Sequence, residues 1–205
     1  MTAQNTEVDQ MRKLYIEKSI MISKLINAIP KSGYSVNYRF IDIEWMIEKY
    51  ADSYGGFVEN PDFQRGHVWS REQQISYIEA IFRGLVSTSG LTITLNCPDF
   101  QRYEKAKDSD LNGVIVMDGL QRLTAIRQFI KGEFKVFNDI IDGGADHKYF
   151  DKSDFSLKSM IGITVNMFNF QYKKEVLNYY LLINSGGTVH TKDELDRVKA
   201  MYNEL

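Results

Sequence analysis

VIVMDGLQRLTAIR, residues 114–127, is the stretch that decides the fold class. Val114-Ile115-Val116-Met117 is an unbroken apolar run that leads straight into Asp118-Gly119-Leu120-Gln121-Arg122. A spacing of three and four then begins, with apolar residues at Leu123, Ile126, Phe129 and Ile130. The β-branched run predicts a buried strand, and the later spacing predicts one face of a helix. The strand would therefore end in a polar, glycine-containing turn that opens a helix. The unpaired N–H groups of a helix's first turn, and the positive end of its dipole, favour an anion at such a place. Asp118, Gln121 and Arg122 add a carboxylate, an amide and a guanidinium, and a planar guanidinium can bond two phosphate oxygens at once. The same residues also suit a plain turn with a solvated arginine, so the rest of the chain has to choose.

Upstream, Met11–Ile29 predicts an amphipathic helix with Leu14, Met21, Ile22, Leu25 and Ile26 mostly on one face. Pro30 stops it, and residues 1–10 are expected to fray. Such a helix suits either a cap on the domain or a surface for a partner. KSGYSVNYRF predicts a turn and an extended segment, and Asp42 is a candidate N-cap for a helix through Tyr50. Ser70 and Gln73 have capping-box spacing ahead of Ile75, Ile78, Ile81 and Phe82. Leu91–Leu95 predicts a strand that partners Val114–Met117 across a polar loop at 97–113. Further on, the pattern predicts short strands at 134–137 and 161–168 and a loop-rich stretch at 138–156. Helices are expected over 173–183 and after Thr191, whose N-cap role is paired with Glu194. The expected class is α/β (α+β), a small mixed sheet flanked by helices. An N-terminal helical extension (1–34) would precede a main domain (35–205).

Two more stretches place polar side chains where a ligand could meet them. Pro61–Trp69, PDFQRGHVW, sets Gln64, Arg65 and His67 just before a helix. Phe63, Val68 and Trp69 suit core plugs, or, for the two aromatics, loop anchors or stacking surfaces. Ile183–Gly187, INSGG, joins two helices; Asn184 is its best claim to a ligand, and its glycines suit a helix C-terminus or a backbone anion nest. The tetrapeptide DFQR recurs at 62–65 and 99–102 with unrelated flanks, a coincidence and not a repeat.

Composition narrows the chemistry. A formal net charge of −2 gives no global basic field to draw the chain onto nucleic acid or anionic membrane. The single cysteine, Cys97, allows no intramolecular disulfide and fits a reducing compartment, with a structural role beside Pro98. No apolar run approaches the ~20 residues of a membrane span, and MTAQNTEVDQ lacks the apolar core of a signal peptide, so a cytoplasmic location is expected. P-loop, Rossmann and nucleophile-elbow patterns are absent, and one Cys with three scattered His gives no CxxC or HExxH zinc motif.

Taken together and in order, PDFQRGHVW, VMDGLQRLTAI and INSGGTVHTKDEL resemble the N-terminal domain of GmrSD-type modification-dependent restriction enzymes, over roughly residues 38–200. The resemblance implies a ParB/sulfiredoxin-like fold. It also implies a pocket for a nucleoside triphosphate with Mg²⁺, lined by the family's DGQQR turn, that binds and hydrolyses nucleotide to gate a nuclease. Asp118 and Gln121 would be catalytic; Gln64, Arg65, His67, Gly119, Arg122, Thr124 and Asn184 would hold the nucleotide. Leu120 departs from the pattern, standing where the family has the first Gln of DGQQR. Many relatives continue into an HNH-type nuclease domain, whereas this sequence stops at Leu205. The expectation is therefore a nucleotide-binding regulator in phage defence or counter-defence, with a separately encoded nuclease or DNA as a possible partner. The alternatives are an inactive interaction or decoy protein, or a ParB-like DNA-binding or nicking protein with Asp118 and Glu79 or Asp62 as metal ligands.

Overall fold

The computed structural model describes residues 3–26, 30–66, 68–100, 109–146, 148, 161–184 and 191–205. It divides into two compact units, Met1–Lys31 and Ser32–Leu205. The first unit carries helix α1 (Ala3–Ile26). Residues 3–10 are helical and not frayed, because AQNTEVDQ holds no glycine or proline to break the backbone pattern. The described apolar side chains of α1, Met11, Leu14, Tyr15, Ile16, Ile20, Met21 and Ile22, are exposed.

The second unit is built on five strands: β1 (Tyr34–Arg39), β2 (Phe57–Val58), β3 (Thr92–Asn96), β4 (Val114–Asp118) and β5 (Gly162–Phe168). Their order across the sheet is β1-β5-β3-β4-β2. The β1–β5 and β3–β4 pairs are antiparallel, and the β3–β5 and β2–β4 pairs are parallel. Among the described residues, the longer helices of the unit are α2 (Ile43–Tyr54), α3 (Arg71–Phe82), α4 (Leu120–Ile130), α5 (Lys173–Asn184) and α6 (Lys192–Glu204).

The unbroken apolar run of β4 has a plain cause. Val114 and Val116 face one core with Ile43, Met46, Ile78, Leu123, Ile126 and Phe129 from α2, α3 and α4. Ile115 and Met117 face the other, with Val176, Leu177 and Val198 from α5 and α6. A strand covered on both faces has no polar side to alternate with. Ile43, Met46, Ile47 and Tyr50 are all buried on α2, as their spacing predicts. On α3, Ile78 and Ile81 are buried, while Ile75 and Phe82 are partly so.

Three local expectations fail. Asp42 does stand at the N-cap of α2, but its side chain caps no N–H; its carboxylate takes the Arg39 guanidinium at 2.5 and 2.9 Å, a charge-assisted pair that outcompetes a backbone N–H. Residues 134–137 form no strand, only one bridge between Val136 and Ala145. Val68 is no core plug and stands exposed. Parts of the expected loops at 97–113 and 138–156, and of the INSGG stretch, lie outside the described residues.

Candidate functional site

Sequence builds the site from β4 outward. β3 and β4 slip register between Leu95, opposite Val116, and Thr94, opposite Asp118, so β4 carries one extra residue next to Asp118. Such a bulge re-aims the side chains that follow it. Gly119 then turns the chain with φ of 97° into α4. A Cβ there would stand 3.2 Å from the Ile93 Cα and 3.3 Å from Arg122 Nη2, so the turn needs glycine for space as well as for conformation.

A cavity of about 220 Å³ opens over this turn. Its walls are Gln64–Gly66 and Trp69 on one side and Met117–Arg122 on the other, with Tyr180 of α5 between them. Arg122 Nη2 lies 2.5 Å from Asp118 Oδ2. Arg122 Nε is buried and has no hydrogen-bond partner, the only such side-chain atom among the described residues. An orphaned donor costs about 1–3 kcal/mol and is tolerated mainly where a ligand or a strained function accounts for it. Arg65 Nη1 lies 3.5 Å from Glu194 Oε1, and both side chains are about one quarter exposed.

Three of the expected site residues make hydrogen bonds within the protein. Gln121 accepts from the N–H groups of Val68 (2.9 Å) and Trp69 (3.1 Å) and donates to the Gly66 carbonyl (2.7 Å). Its amide fastens the Arg65 loop to the α4 turn. Thr124 donates its hydroxyl to the Leu120 carbonyl one helical turn back, and Asn184 donates to the Tyr180 carbonyl in the same manner. Gln64 donates to the Val116 carbonyl at 2.7 Å. That carbonyl lies just past the end of the short β2 ladder, so Gln64 prolongs it while remaining at the cavity wall. His67 lies outside the described residues.

The sequence pattern did not point to Tyr180, Glu194 or Arg197 as parts of this site. Tyr180 packs edge-on against Phe63, ring centroids 5.2 Å apart. Burial, then the charges of Glu194 and Asp118, push its phenol up to about 12, against the opposing pull of Arg65 and Arg197, so it keeps its proton at neutral pH. Arg197 Nη2 donates to the carbonyls of Phe63 (3.3 Å) and Gln64 (3.2 Å). Lys173 ties the start of α5 to Asp62 at 2.5 Å. The 62–69 loop is therefore held from α4, α5 and α6 at once.

A family model, that of the GmrSD restriction endonuclease, N-terminal domain, matches residues 43–202, well over half of the chain. The chain belongs to this family. Membership in the GmrSD N-terminal family ties the chain to restriction-related phage defence. No curated protein and no solved structure matches the chain. The matched residues of this GmrSD N-terminal domain contain every element that lines the cavity. Among the described residues, no helix is long and apolar enough to cross a membrane. Likewise, no three His, Cys, Asp or Glu gather into a metal-binding group among them. Asp62 pairs with Lys173, Glu79 accepts the Phe137 N–H at 2.6 Å, and Asp118 faces Arg122.

Proposed function

We propose that this GmrSD N-terminal domain binds nucleoside triphosphate through the cavity between the DGLQR turn and the Gln64–Trp69 loop. The observation that carries the reading is the pair of guanidiniums, Arg65 and Arg122, lining one cavity with the first turn of α4. Backbone N–H groups, a helix dipole and two arginines are the donor set that phosphate oxygens require. Size supports the phosphate end in particular. Pockets that engulf a drug-sized ligand run to about 300–1,000 Å³; 220 Å³ suits phosphates inside and the base at the mouth, near Trp69.

Magnesium is commonly held by one or two carboxylates together with substrate phosphates. Asp118 is the carboxylate in the cavity wall, 44% exposed at its side chain, and fits that role through the oxygen not used by Arg122. The ion would supply neutralising charge to the phosphates. Asp118 is also the lining group best suited to orient a water. Gln121 is committed to the loop and Tyr180 keeps its proton, so hydrolysis rests on Asp118 while binding rests on the arginines.

Melting curves with ATP, GTP, CTP and UTP, with and without Mg²⁺, test binding, and phosphate release tests turnover. Arg65→Ala and Arg122→Ala should each abolish the nucleotide-dependent rise in melting temperature. Asp118→Ala should abolish release and leave a rise. If the wild-type curve does not move with any nucleotide, the reading is wrong.

A further inference from the structure

Glu194 is in contact with the cavity through Arg65 and with α6 through its own helix cap. One oxygen, Oε2, accepts the Thr191 N–H at 3.0 Å in the α6 capping box; the other, Oε1, lies 3.5 Å from Arg65 Nη1. One turn on, Arg197 holds the carbonyls of Phe63 and Gln64, in the two successive peptides that lead to Arg65. The start of α6 thus grips the arginine loop twice: the Glu194 carboxylate meets the Arg65 guanidinium, and the Arg197 guanidinium donates to two loop carbonyls.

We propose that Glu194 is a positioning residue that occupies Arg65 and so sets how tightly the cavity holds a nucleotide's phosphates; the proposal rests on the nucleotide reading of the cavity. Two effects of Glu194 oppose each other. It orients Arg65, which helps binding, and it brings a full negative charge to the place where phosphates would sit, which hinders it. The distances decide between them. The Asp118–Arg122 contact, at 2.5 Å, is a tight hydrogen bond that orients its arginine firmly. At 3.5 Å, Glu194 is an ion pair without a hydrogen bond's directional hold. Its orienting effect is small while its Coulomb repulsion toward phosphate, which falls only as the inverse of distance, persists. A phosphate would therefore take Arg65 from Glu194, and Glu194 would remain on Thr191 as the α6 cap.

Glu194→Gln separates the charge from the cap. A glutamine at this place in a helix caps well in this protein, since Gln73 Oε1 accepts the Ser70 N–H at 2.9 Å in the α3 box. Calorimetric titration with Mg²⁺ and each of the four ribonucleoside triphosphates should show E194Q binding about fivefold tighter than wild type, the scale of one partly screened charge. Thr191→Ala removes the cap alone; it should lower the melting temperature and leave affinity unchanged. If E194Q melts early, the titration is run below its melting onset, where the tighter binding should still appear. Wild type that binds, with E194Q equal or weaker, overturns the role of Glu194 alone. Absence of binding by wild type and every variant overturns the nucleotide reading and this proposal with it.

Discussion

Gly119 carries the tightest requirement in the site. Its φ of 97° strains any residue with a side chain, and a Cβ 3.2 Å from the Ile93 Cα would push its neighbours aside by a few tenths of an ångström. Gly119→Ala should lower stability by about 1–3 kcal/mol, measured by denaturant unfolding, and weaken nucleotide binding through the displaced Arg122. An unchanged midpoint would show that β4 and β3 can part cheaply. A second residue-scale test lies outside the cavity. Glu44 is partly buried, which alone would raise its pKa. Its hydrogen bonds and charge contact with Arg127, aided by Lys131, hold it instead below the ordinary 4.5. The sign follows from linkage: a carboxylate that is more acidic folded than unfolded adds stability above its unfolded value and loses it as pH falls through the folded one. Glu44→Gln should therefore flatten the decline in stability below about pH 4.5, seen in melting curves from pH 7 to pH 3. Arg127 also pairs with Glu59, a contact between residues 68 positions apart that no local pattern announces. The same limit explains Gln121: its place in the turn is readable, but its partners at Gly66, Val68 and Trp69 are brought there by folding.

At the scale of elements, the local signals read well. Both capping boxes, Ser70 with Gln73 and Thr191 with Glu194, form as their spacing predicts. The β4–turn–α4 unit stands within two residues of its expected bounds. These features depend on neighbours in sequence, so sequence suffices. β2 escaped notice because two residues carry no periodicity; it exists through pairing with Val114 and Ile115. Phe134–Phe137 has strand-like composition but, among the described residues, no bridge beyond that of Val136 with Ala145. Ser70→Ala should cost about 1 kcal/mol of stability, as loss of an N-cap usually does. Because the α3 cap follows Trp69 directly, it should also loosen the cavity loop, which hydrogen exchange at residues 68–75 would report as faster. Equal exchange in both proteins would mean that the contacts from α4, α5 and α6 hold the loop without help from the α3 cap.

For the whole molecule, the strand order β1-β5-β3-β4-β2 could not be read from a single sequence, since it rests on contacts between β1 and β5, far apart in the chain. Among the described residues, the buried residues of both cores lie between Phe40 and Val198, within the Ser32–Leu205 unit. That unit should fold without residues 1–31, and a protein starting at Ser32 should melt within about 2 °C of the full chain, a shift equivalent to less than 1 kcal/mol. A large drop would show that α1 contributes to the same cooperative unit. Cys97 is fully buried, and burial pushes its thiol up to about 11. It should resist alkylation at pH 8 until the chain unfolds, consistent with a packing role and not a reactive one.

The measurement that tests the central claim most directly is calorimetric titration of Mg²⁺ with ATP, GTP, CTP and UTP into wild type, Arg65→Ala and Arg122→Ala. We predict saturable one-to-one binding by wild type to at least one of the four, lost in both variants while their melting curves without nucleotide stay cooperative. Binding that survives in both well-folded variants, or no heat from wild type with any of the four, would contradict a phosphate site at this turn.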